Sequence, residues 1–252
     1  MRIKLQEQSE IGLDSYELNY KDLPFENVLR EYRKKKIFET IKKYPCGRFL
    51  EIGCGLYPLF MDFMDFDKMT VVEPRQLFYE RATLLSNKDP RIVIINDLIE
   101  NKIDLLSQDT FDFIIVGGFL HEIENPGIVL KAIKEICSKN TIIYSFVPNA
   151  RSFHRLLAVE MGIIANVYVK SGHDVLFQRH NVFDNETFNS LMTNNGFKII
   201  DSGSYFVKPF THDQMDKLLI QGIVEKSCLE GLEKMIKYLP DMGAELFNCC
   251  KI

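Results

Sequence analysis

The feature that most constrains the fold is a regular alternation of short apolar runs and helix-compatible segments across residues 48–147. Five apolar or β-branched runs are predicted strands, at residues 48–52, 69–72, 91–95, 111–116 and 141–147. Segments with helical spacing lie between them, such as residues 76–86 and 127–137. Strands that are apolar along their whole length and alternate with helices indicate a parallel sheet covered on both faces. The sequence therefore predicts a doubly wound α/β fold.

The remaining segments are predicted to flank this sheet. Residues 25–43 have the apolar spacing of an amphipathic helix, which ends at the break of residues 45–47. Later helices are predicted at 153–161, 185–194 and most of 211–239, strands at 197–200, 205–207 and 245–251, and a turn at Gly172–His173. No linker, repeat or low-complexity segment divides the chain, so we expect one domain over residues 1–252.

Composition excludes several classes of partner. The 252 residues are 46% hydrophobic and 26% charged, which is typical of a globular protein. A net charge of −4 gives no general reason to bind nucleic acid or an anionic membrane. No apolar run approaches the about 20 residues of a membrane-spanning helix, and the N-terminus lacks the apolar core of a secretory signal. We therefore expect a cytoplasmic protein without a nucleic-acid partner or a membrane span.

The cysteines indicate neither a metal site nor a disulfide framework. None of the six forms a Cys-x-x-Cys pair, and no His-rich segment accompanies them. This usage favours a reducing compartment. Cys249 and Cys250 are adjacent on a predicted strand, so they should face opposite sides of the sheet.

The turn after the first strand predicts a ligand without a phosphate. Gly53 and Gly55 begin a Gly-x-Gly pattern, but Pro58 stands where a dinucleotide site requires a third glycine. No Walker A sequence follows either. The carboxylate of Glu51 would repel a pyrophosphate, whereas it would attract an ammonium and a sulfonium. The helix N-terminus beyond Gly55 can still receive a carboxylate.

Polar or flexible residues also end the next three predicted strands. Glu73, followed by Pro74, is placed to accept hydrogen bonds from ribose hydroxyls, although a nicotinamide dinucleotide site uses an acid in the same way. Asp97 would accept from an adenine amino group while Leu98 packs on the ring; its alternative role is a helix N-cap. Gly117 and Gly118 end the fourth strand and permit a close approach of the ligand, or merely a turn.

These stretches together carry a resemblance to a known family. "EIGCG", "VVEP", "VIIND" and "FDFIIVGGFLHEIENP" resemble, in order and spacing, the motifs of class I S-adenosylmethionine-dependent methyltransferases over residues 48–147. The resemblance implies a Rossmann-like, mostly parallel sheet with an antiparallel last strand, supplied by residues 245–251. It implies S-adenosylmethionine (SAM) as cofactor and S-adenosylhomocysteine (SAH) as product. The implied cofactor residues are Glu51, Gly53, Gly55, Tyr57, Glu73, Pro74, Asp97, Leu98, Gly117 and Gly118.

Tyr57 departs from the family pattern, because many members carry a third glycine there. We expect its ring to line the methionine portion of the cofactor. The pattern of segments also suggests a layout within the domain: residues 1–45 as a helical lid, 46–147 as the cofactor-binding core, and 148–181 and 209–243 as insertions beside the acceptor. Tyr20 and Phe25 are further candidates for closing the pocket.

Histidines are the candidate general bases, because an imidazole with a near-neutral pKa suits deprotonation of a hydroxyl. His121 follows the fourth strand and His154 the fifth, so the scaffold positions these two most directly. His173 and His180 lie in the first insertion. For each of them a purely structural role is the alternative.

The candidate acceptor-binding residues are Asn149, Arg151, Arg155 and Arg179. Arginine pairs well with phosphate or carboxylate oxygens; the alternative is that these arginines neutralise Glu122, Glu124 and Glu160. "VPNARSFHRLLAVEMG" and "QRHNVFDNETFNSLMTNNGF" resemble methyltransferases of bacterial polysaccharide and surface-glycan biosynthesis. This second resemblance implies O-methylation of a nucleotide-linked sugar, or of a phosphorus-containing capsule decoration such as phosphoramidate.

Three other functions remain open at the level of sequence. The first is an oxidoreductase that uses a nicotinamide dinucleotide, which Glu51 and the missing third glycine disfavour. The second is a protein that binds SAM without catalysis. The third is a methyltransferase that acts on nitrogen. Residues 211–239 are rich in Leu, Ile and Met and could pack internally or form a homodimer surface.

Overall fold

The computed structural model describes residues 24–170 and 179–252. Its helices are α1 (Pro24–Ile41), α2 (Gln76–Leu85), α3 (Ile103–Leu106), α4 (Pro126–Ile136), α5 (Phe153–Glu160), α6 (Asn185–Asn194), α7 (His212–Ile220) and α8 (Lys226–Lys234). Its strands are β1 (Arg48–Ile52), β2 (Lys68–Val72), β3 (Ile92–Ile95), β4 (Phe113–Val116), β5 (Ile142–Pro148), β6 (Lys198–Tyr205) and β7 (Glu245–Lys251). Three short 3₁₀ turns cover Leu59–Met61, Ile99–Asn101 and Met235–Lys237.

The seven strands form one sheet in the order β3-β2-β1-β4-β5-β7-β6. The first five strands pair in parallel, and β7 pairs antiparallel with both β5 and β6. The predicted Rossmann-like fold with an antiparallel last strand is confirmed. The strand order reverses between β1 and β4, and ligands of such sheets bind beyond the strand ends at that point.

Each face of the sheet supports its own hydrophobic core. One core joins the sheet to α1, α7 and α8 through residues such as Leu29, Met215 and Leu229. The other joins the opposite face to α4 and α6 through residues such as Leu130 and Phe188. Cys249 belongs to the first core and Cys250 to the second, which confirms that neighbouring side chains of β7 point to opposite faces.

Local sequence explains where helices α4 and α7 begin. Asn125 caps α4 by accepting from the Gly127 N–H, and Pro126 occupies the first turn, where its missing N–H is not needed. Thr211 and Gln214 form a reciprocal capping box at the start of α7. These caps fix the first turns of α4 and α7.

The sequence prediction is wrong for one strand. Residues 197–200 and 205–207 were expected to be separate strands, but Lys198–Tyr205 is continuous in β6, with a register shift between Ile199 and Asp201. The Asp-Ser-Gly-Ser segment suggests a turn, yet β6 is an edge strand with one solvent-exposed side, where polar residues are tolerated.

The structure confirms the helices predicted for residues 211–239, whereas two other predictions fall on residues that it does not describe. Residues 211–239 form α7, α8 and a 3₁₀ turn, so the segment is mostly helical as expected. Tyr20 and the expected turn at Gly172–His173 lie outside the described residues. Across residues 24–170 and 179–252, no helix is long and apolar enough to span a membrane.

Candidate active site

One cavity of about 880 Å³ lies at the carboxyl ends of the parallel strands. Residues that follow β1, β2, β3 and β4 line one end of it. Residues of α1 and α5, and those after β6, line the other. The strand ends that carry the predicted polar residues therefore meet in a single space.

The glycine turn after β1 depends on backbone conformations that favour glycine. Gly53 has φ of +75° and Gly55 φ of +56°, which is the left-handed region where a Cβ adds strain. The Gly53 N–H donates to the Val72 carbonyl at 2.9 Å, so the turn is fixed to the end of β2. A Cβ on Gly53 would also lie 2.8 Å from the ring of Phe119.

The turn after β4 also approaches the turn after β1 closely through backbone atoms, and the Gly117 N–H donates to the Ile52 carbonyl at 2.8 Å. A Cβ on Gly117 would lie 2.0 Å from the Gly53 carbonyl oxygen and 2.8 Å from that of Ile52. Gly118, with φ of +73°, lies against the ring of Phe146. Since no side chain fits between the two turns, a ligand can rest directly on main-chain atoms.

Glu51 is buried beneath the turn. One of its carboxylate oxygens accepts from the Leu59 N–H at 2.9 Å. Burial raises the pKa of Glu51 to about 8, and repulsion from Glu73 adds to this effect. At pH 7 such a carboxyl is mostly protonated, and an approaching cation favours its ionised form.

Glu73 is fixed at the end of β2 by its neighbours. Its carboxylate accepts from the N–H groups of Gly55 at 3.1 Å and Arg75 at 3.0 Å. The Cys54 thiol lies 3.7 Å from the same carboxylate. Burial raises the pKa of Glu73, partly offset by these donors. The side chain lines the cavity together with Pro74, as a ribose-binding acid would.

The structure does not bring Asp97 into the cavity. Its carboxylate accepts from the Leu98 N–H at 2.8 Å and from the Asn101 amide at 2.7 Å, and Lys102 lies 3.0 Å away. Those contacts, the Asn101 hydrogen bond first, lower its pKa. Asp97 is not the N-cap weighed as the alternative either, because the following 3₁₀ turn has Leu98 at its N-cap and no side-chain capping bond. The neighbouring Leu98 does line the cavity.

Sequence reasoning missed Glu100, which also lines the cavity. Its Oε2 atom is buried and has no hydrogen-bond partner among the described residues. A buried acceptor without a partner is costly, so a ligand donor is its natural complement. The only signal in the sequence was its position three residues beyond Asp97.

Tyr57 lines the cavity under α1. The Arg30 guanidinium lies 3.7 Å from the centroid of the Tyr57 ring, and that of Arg81 lies 5.8 Å from it. Lys34 of α1 pairs with Asp62 beyond the 3₁₀ turn at 3.0 Å. The first helix therefore packs beside the glycine turn through Arg30 and Lys34.

Residues 27–202 match the family model described as a methyltransferase domain. The chain belongs to this family. It is a SAM-dependent methyltransferase, and SAM is its cofactor. The residues present suit that cofactor, because the glycine turns leave main-chain atoms uncovered and Glu100 lacks a hydrogen-bond partner among the described residues.

Solved structures agree on the fold. A possible histamine N-methyltransferase from Thermotoga maritima is 18% identical, with 90% of this chain and 97% of that chain covered and a TM-score of 0.58. The plantazolicin methyltransferase BamL, solved with SAH, is 14% identical over 97% and 90% of the chains, with a TM-score of 0.56. A SAM-dependent methyltransferase from Archaeoglobus fulgidus is 13% identical over 88% and 94%, with a TM-score of 0.53. No curated protein matches the sequence.

The three predicted histidines of the methyltransferase have different environments. His121 is buried and lines the cavity, with its Nε2 atom 3.8 Å from Glu122. His154 also lines the cavity, but burial, together with the nearby charges of Lys208 and Arg155, lowers its pKa to about 2. An imidazole so hard to protonate is a weak base. His180 is exposed and is absent from the described cavity lining.

The predicted acceptor residues divide in the same way. Arg155 and Arg179 line the cavity, whereas Arg151 is exposed and outside its lining. Asn149 lines it, but its amide donates to the carbonyls of Asp241 at 2.9 Å and Gly243 at 2.8 Å. The side chain of Asn149 thus ties β5 to the segment before β7. Binding of acceptor by Asn149 or Arg151 is not supported by these positions.

The sequence analysis missed a polar cluster at the α1 end of the cavity. Arg33 donates to Glu245 and lies 3.3 Å from Glu26; Tyr205 also donates to Glu245. Lys208 is buried nearby. The described part of the chain holds no group of three or more His, Cys, Asp or Glu side chains arranged for a metal ion.

Proposed function

We propose that this methyltransferase transfers the SAM methyl group to an oxygen of a small anionic acceptor. The acceptor class is a nucleotide-linked sugar, or a phosphorus-containing intermediate such as phosphoramidate, in bacterial capsule or surface-glycan biosynthesis. One observation carries the proposal: the strand-end acids of the cofactor site and the guanidinium groups of the partly exposed Arg155 and Arg179 line the same cavity.

At the cofactor end, the described contacts support a separate binding residue for each part of SAM. Glu73 would receive the ribose hydroxyls, and Glu100, with Leu98, the adenine. Glu51 would receive the ammonium, and the glycine turns would approach the remaining chain. Bound SAM supplies an electrophilic methyl group, so the protein has to align the acceptor and exclude water.

At the other end, two guanidinium groups favour a negatively charged acceptor. Arg155 is held by the carbonyls of Val167 and Val169 at 2.7 and 2.6 Å, so its guanidinium is fixed in place. Arg179 also lines the cavity. Guanidinium groups bind phosphate oxygens through paired hydrogen bonds, and burial strengthens this attraction.

A second candidate is N-methylation of a small amine, which one observation favours. Glu26 lines the same end of the cavity. Burial would raise its pKa, but the hydrogen bond from His212 and the charge of Arg33 lower it to about 2, so it stays anionic. A carboxylate that is always charged could receive an ammonium.

The test is mass spectrometry after incubation of the protein with isotopically labelled SAM. The candidate acceptors are nucleotide-linked sugars, sugar phosphates, phosphoramidates and small amines. A label on oxygen of an anionic acceptor supports the proposal, and a label only on amines favours the second candidate. Arg155→Gln should raise KM for the anionic acceptor by roughly tenfold or more, as loss of a charged hydrogen bond predicts. Arg151→Gln is the matched control and should leave KM unchanged.

A further inference from the structure

A chain of three polar side chains crosses the acceptor end of the cavity. The Nε2 atom of His212, at the start of α7, lies 3.1 Å from the Glu26 carboxylate of α1. The Nδ1 atom of the same imidazole lies 3.2 Å from Nζ of Lys208, which follows β6. All three residues line the cavity. Three separate segments of the fold therefore bring a carboxylate, an imidazole and an amine into one chain of polar contacts.

The charge of Glu26 fixes the tautomer of His212. Because the Glu26 carboxylate is anionic, it can only accept, so the proton of a neutral His212 lies on Nε2. Nδ1 is then an acceptor for one N–H of Lys208. One hydrogen bond to Nδ1 holds the amine and leaves its lone pair, when the amine is neutral, available to the cavity.

The surroundings of Lys208 make its neutral form accessible. Burial lowers the pKa of Lys208 to about 8; Glu26 and Glu245 oppose this effect, and Arg179 and Arg155 add to it. Among the described residues, His154 and His212 are further titratable groups near it, and Arg33 pairs with the same Glu26 and Glu245. No carboxylate of the described residues lies within ion-pair distance of Nζ. A lysine with a pKa near the working pH is suited to act as a base.

We propose that Lys208 is the general base of the transfer, with His212 and Glu26 as its positioning residues. This inference rests on the proposed O-methylation. The acceptor O–H gives its proton to neutral Nζ, the oxygen forms a bond to the methyl carbon, and the methyl–sulfur bond breaks with its electron pair left on sulfur. The resulting Lys208 ammonium returns its proton to solvent after the products leave.

Two other groups in the cavity suit this role less well. His154 has the low pKa described above, and its Nδ1 atom lies 3.0 Å from the Ser152 hydroxyl. Arg33 is held between two carboxylates, and a guanidinium does not deprotonate in proteins. Lys208 combines burial, a fixed orientation and access to the cavity.

The first test needs no acceptor. Protein labelled with ¹³C-lysine and saturated with SAH is titrated by NMR, and the Lys208 resonance is assigned by its loss in Lys208→Arg. We expect a midpoint near 8, and a lower midpoint in Glu26→Gln because that variant removes a stabilising negative charge. A midpoint near the ordinary value of about 10.4 would overturn the inference. If Glu26→Gln does not fold, the midpoint of the wild-type protein still decides.

The second test uses any acceptor that the wild-type protein methylates. Lys208→Arg keeps the positive charge but cannot accept a proton, so kcat should fall roughly 10²–10⁴-fold while SAH affinity, measured by calorimetry, stays within about twofold. The rate of the wild-type protein should rise with pH through about 8, and Glu26→Gln should move that midpoint downward. Lys217→Arg, an exposed lysine of α7, is the matched control and should keep full activity.

The two tests separate this inference from the proposed function. If the wild-type protein methylates no oxygen acceptor while Lys208 titrates near 8, the choice of acceptor fails, but the neutral amine that the inference requires is confirmed. If oxygen is methylated and Lys208→Arg keeps its kcat, the base assignment fails and O-methylation stands.

Discussion

The two ends of the cavity are built in different ways. The cofactor end consists of strand ends and glycine turns that lie within residues 51–118, and its contacts are largely made by backbone atoms. The acceptor end is assembled from side chains of α1, α5, α7 and the start of β7, which are up to 219 residues apart, from Glu26 to Glu245. The first end depends on the chain's conformation, and the second on which charges are buried together. Substitutions should therefore harm the two ends through different mechanisms.

The largest expected effect is at the contact between the two glycine turns. Gly117→Ala places a Cβ 2.0 Å from a backbone oxygen that cannot move aside. We expect loss of at least 3 kcal/mol of stability, roughly the cost of severe overpacking, and loss of measurable SAH binding by calorimetry. Gly231→Ala in α8 meets no atom within 4 Å and should stabilise the helix by about 0.5–1 kcal/mol. Normal SAH binding by Gly117→Ala would show that the turns do not depend on this close contact.

The acceptor end should respond next, through charge rather than shape. Arg33→Met leaves Glu245 and Glu26 without their guanidinium. Removing one partner of a buried ion pair costs about 3–5 kcal/mol, and urea denaturation should show a loss in that range, reduced where solvent reaches the pair. Lys35→Met, exposed on the same helix, should change stability by less than about 0.5 kcal/mol. Equal stability of both variants would mean that the buried pair contributes nothing net.

A smaller effect separates two acids of the cofactor end. Glu73→Gln removes a buried carboxylate that lines the cavity, so the dissociation constant for SAH should rise roughly 10- to 100-fold, as loss of a charged hydrogen bond predicts. Asp97→Asn changes a carboxylate that is turned toward Asn101 and Lys102. Its dissociation constant should change by less than about threefold, since surface ion pairs contribute little. An equal loss of SAH affinity in the two variants would show that Asp97 does bind the adenine.

The smallest expected effect is the release of a proton from Glu51 when SAH binds. The pKa of Glu51 is about 8 without a cation beside it, so at pH 7 the carboxyl is mostly protonated. A bound ammonium lowers this pKa, and SAH binding should therefore release up to one proton at pH 7 and fewer as the pH rises above 8. Calorimetry in buffers of different ionisation enthalpy measures this release. Glu51→Gln should abolish it, whereas an unchanged release in that variant would assign the proton to another group.

The cofactor end could be predicted from sequence because its signals are local. Glu51, Gly53 and Gly55 are adjacent in the chain, and Glu73 and Gly117 each end an apolar strand. The parallel sheet then brings these strand ends together without further information. Asp97 shows where this reasoning stops, since a position at a strand end does not determine which way a side chain turns.

The acceptor end could not be predicted in the same way. His212 and Lys208 lie in a stretch that suggests only a helix and a loop, and Glu26 is 186 residues from His212. Their meeting depends on α1 packing over α7, which no local pattern specifies. His154 was ranked high for its position after β5, but burial among cations, which sequence does not display, deprives it of basicity.

The two adjacent thiols of β7 can report separately on the opening of each face of the sheet. Cys249 and Cys250 are both fully buried, each within a different core. A thiol reagent can reach each one only when the layer above it lifts. Peptide mapping can resolve the alkylation rates of the two cysteines. The rate at Cys249 therefore measures how often the face under α1 opens, and the rate at Cys250 measures the same for the face under α4. If α1 alone lifts from the sheet, Cys249 should be alkylated and Cys250 should not.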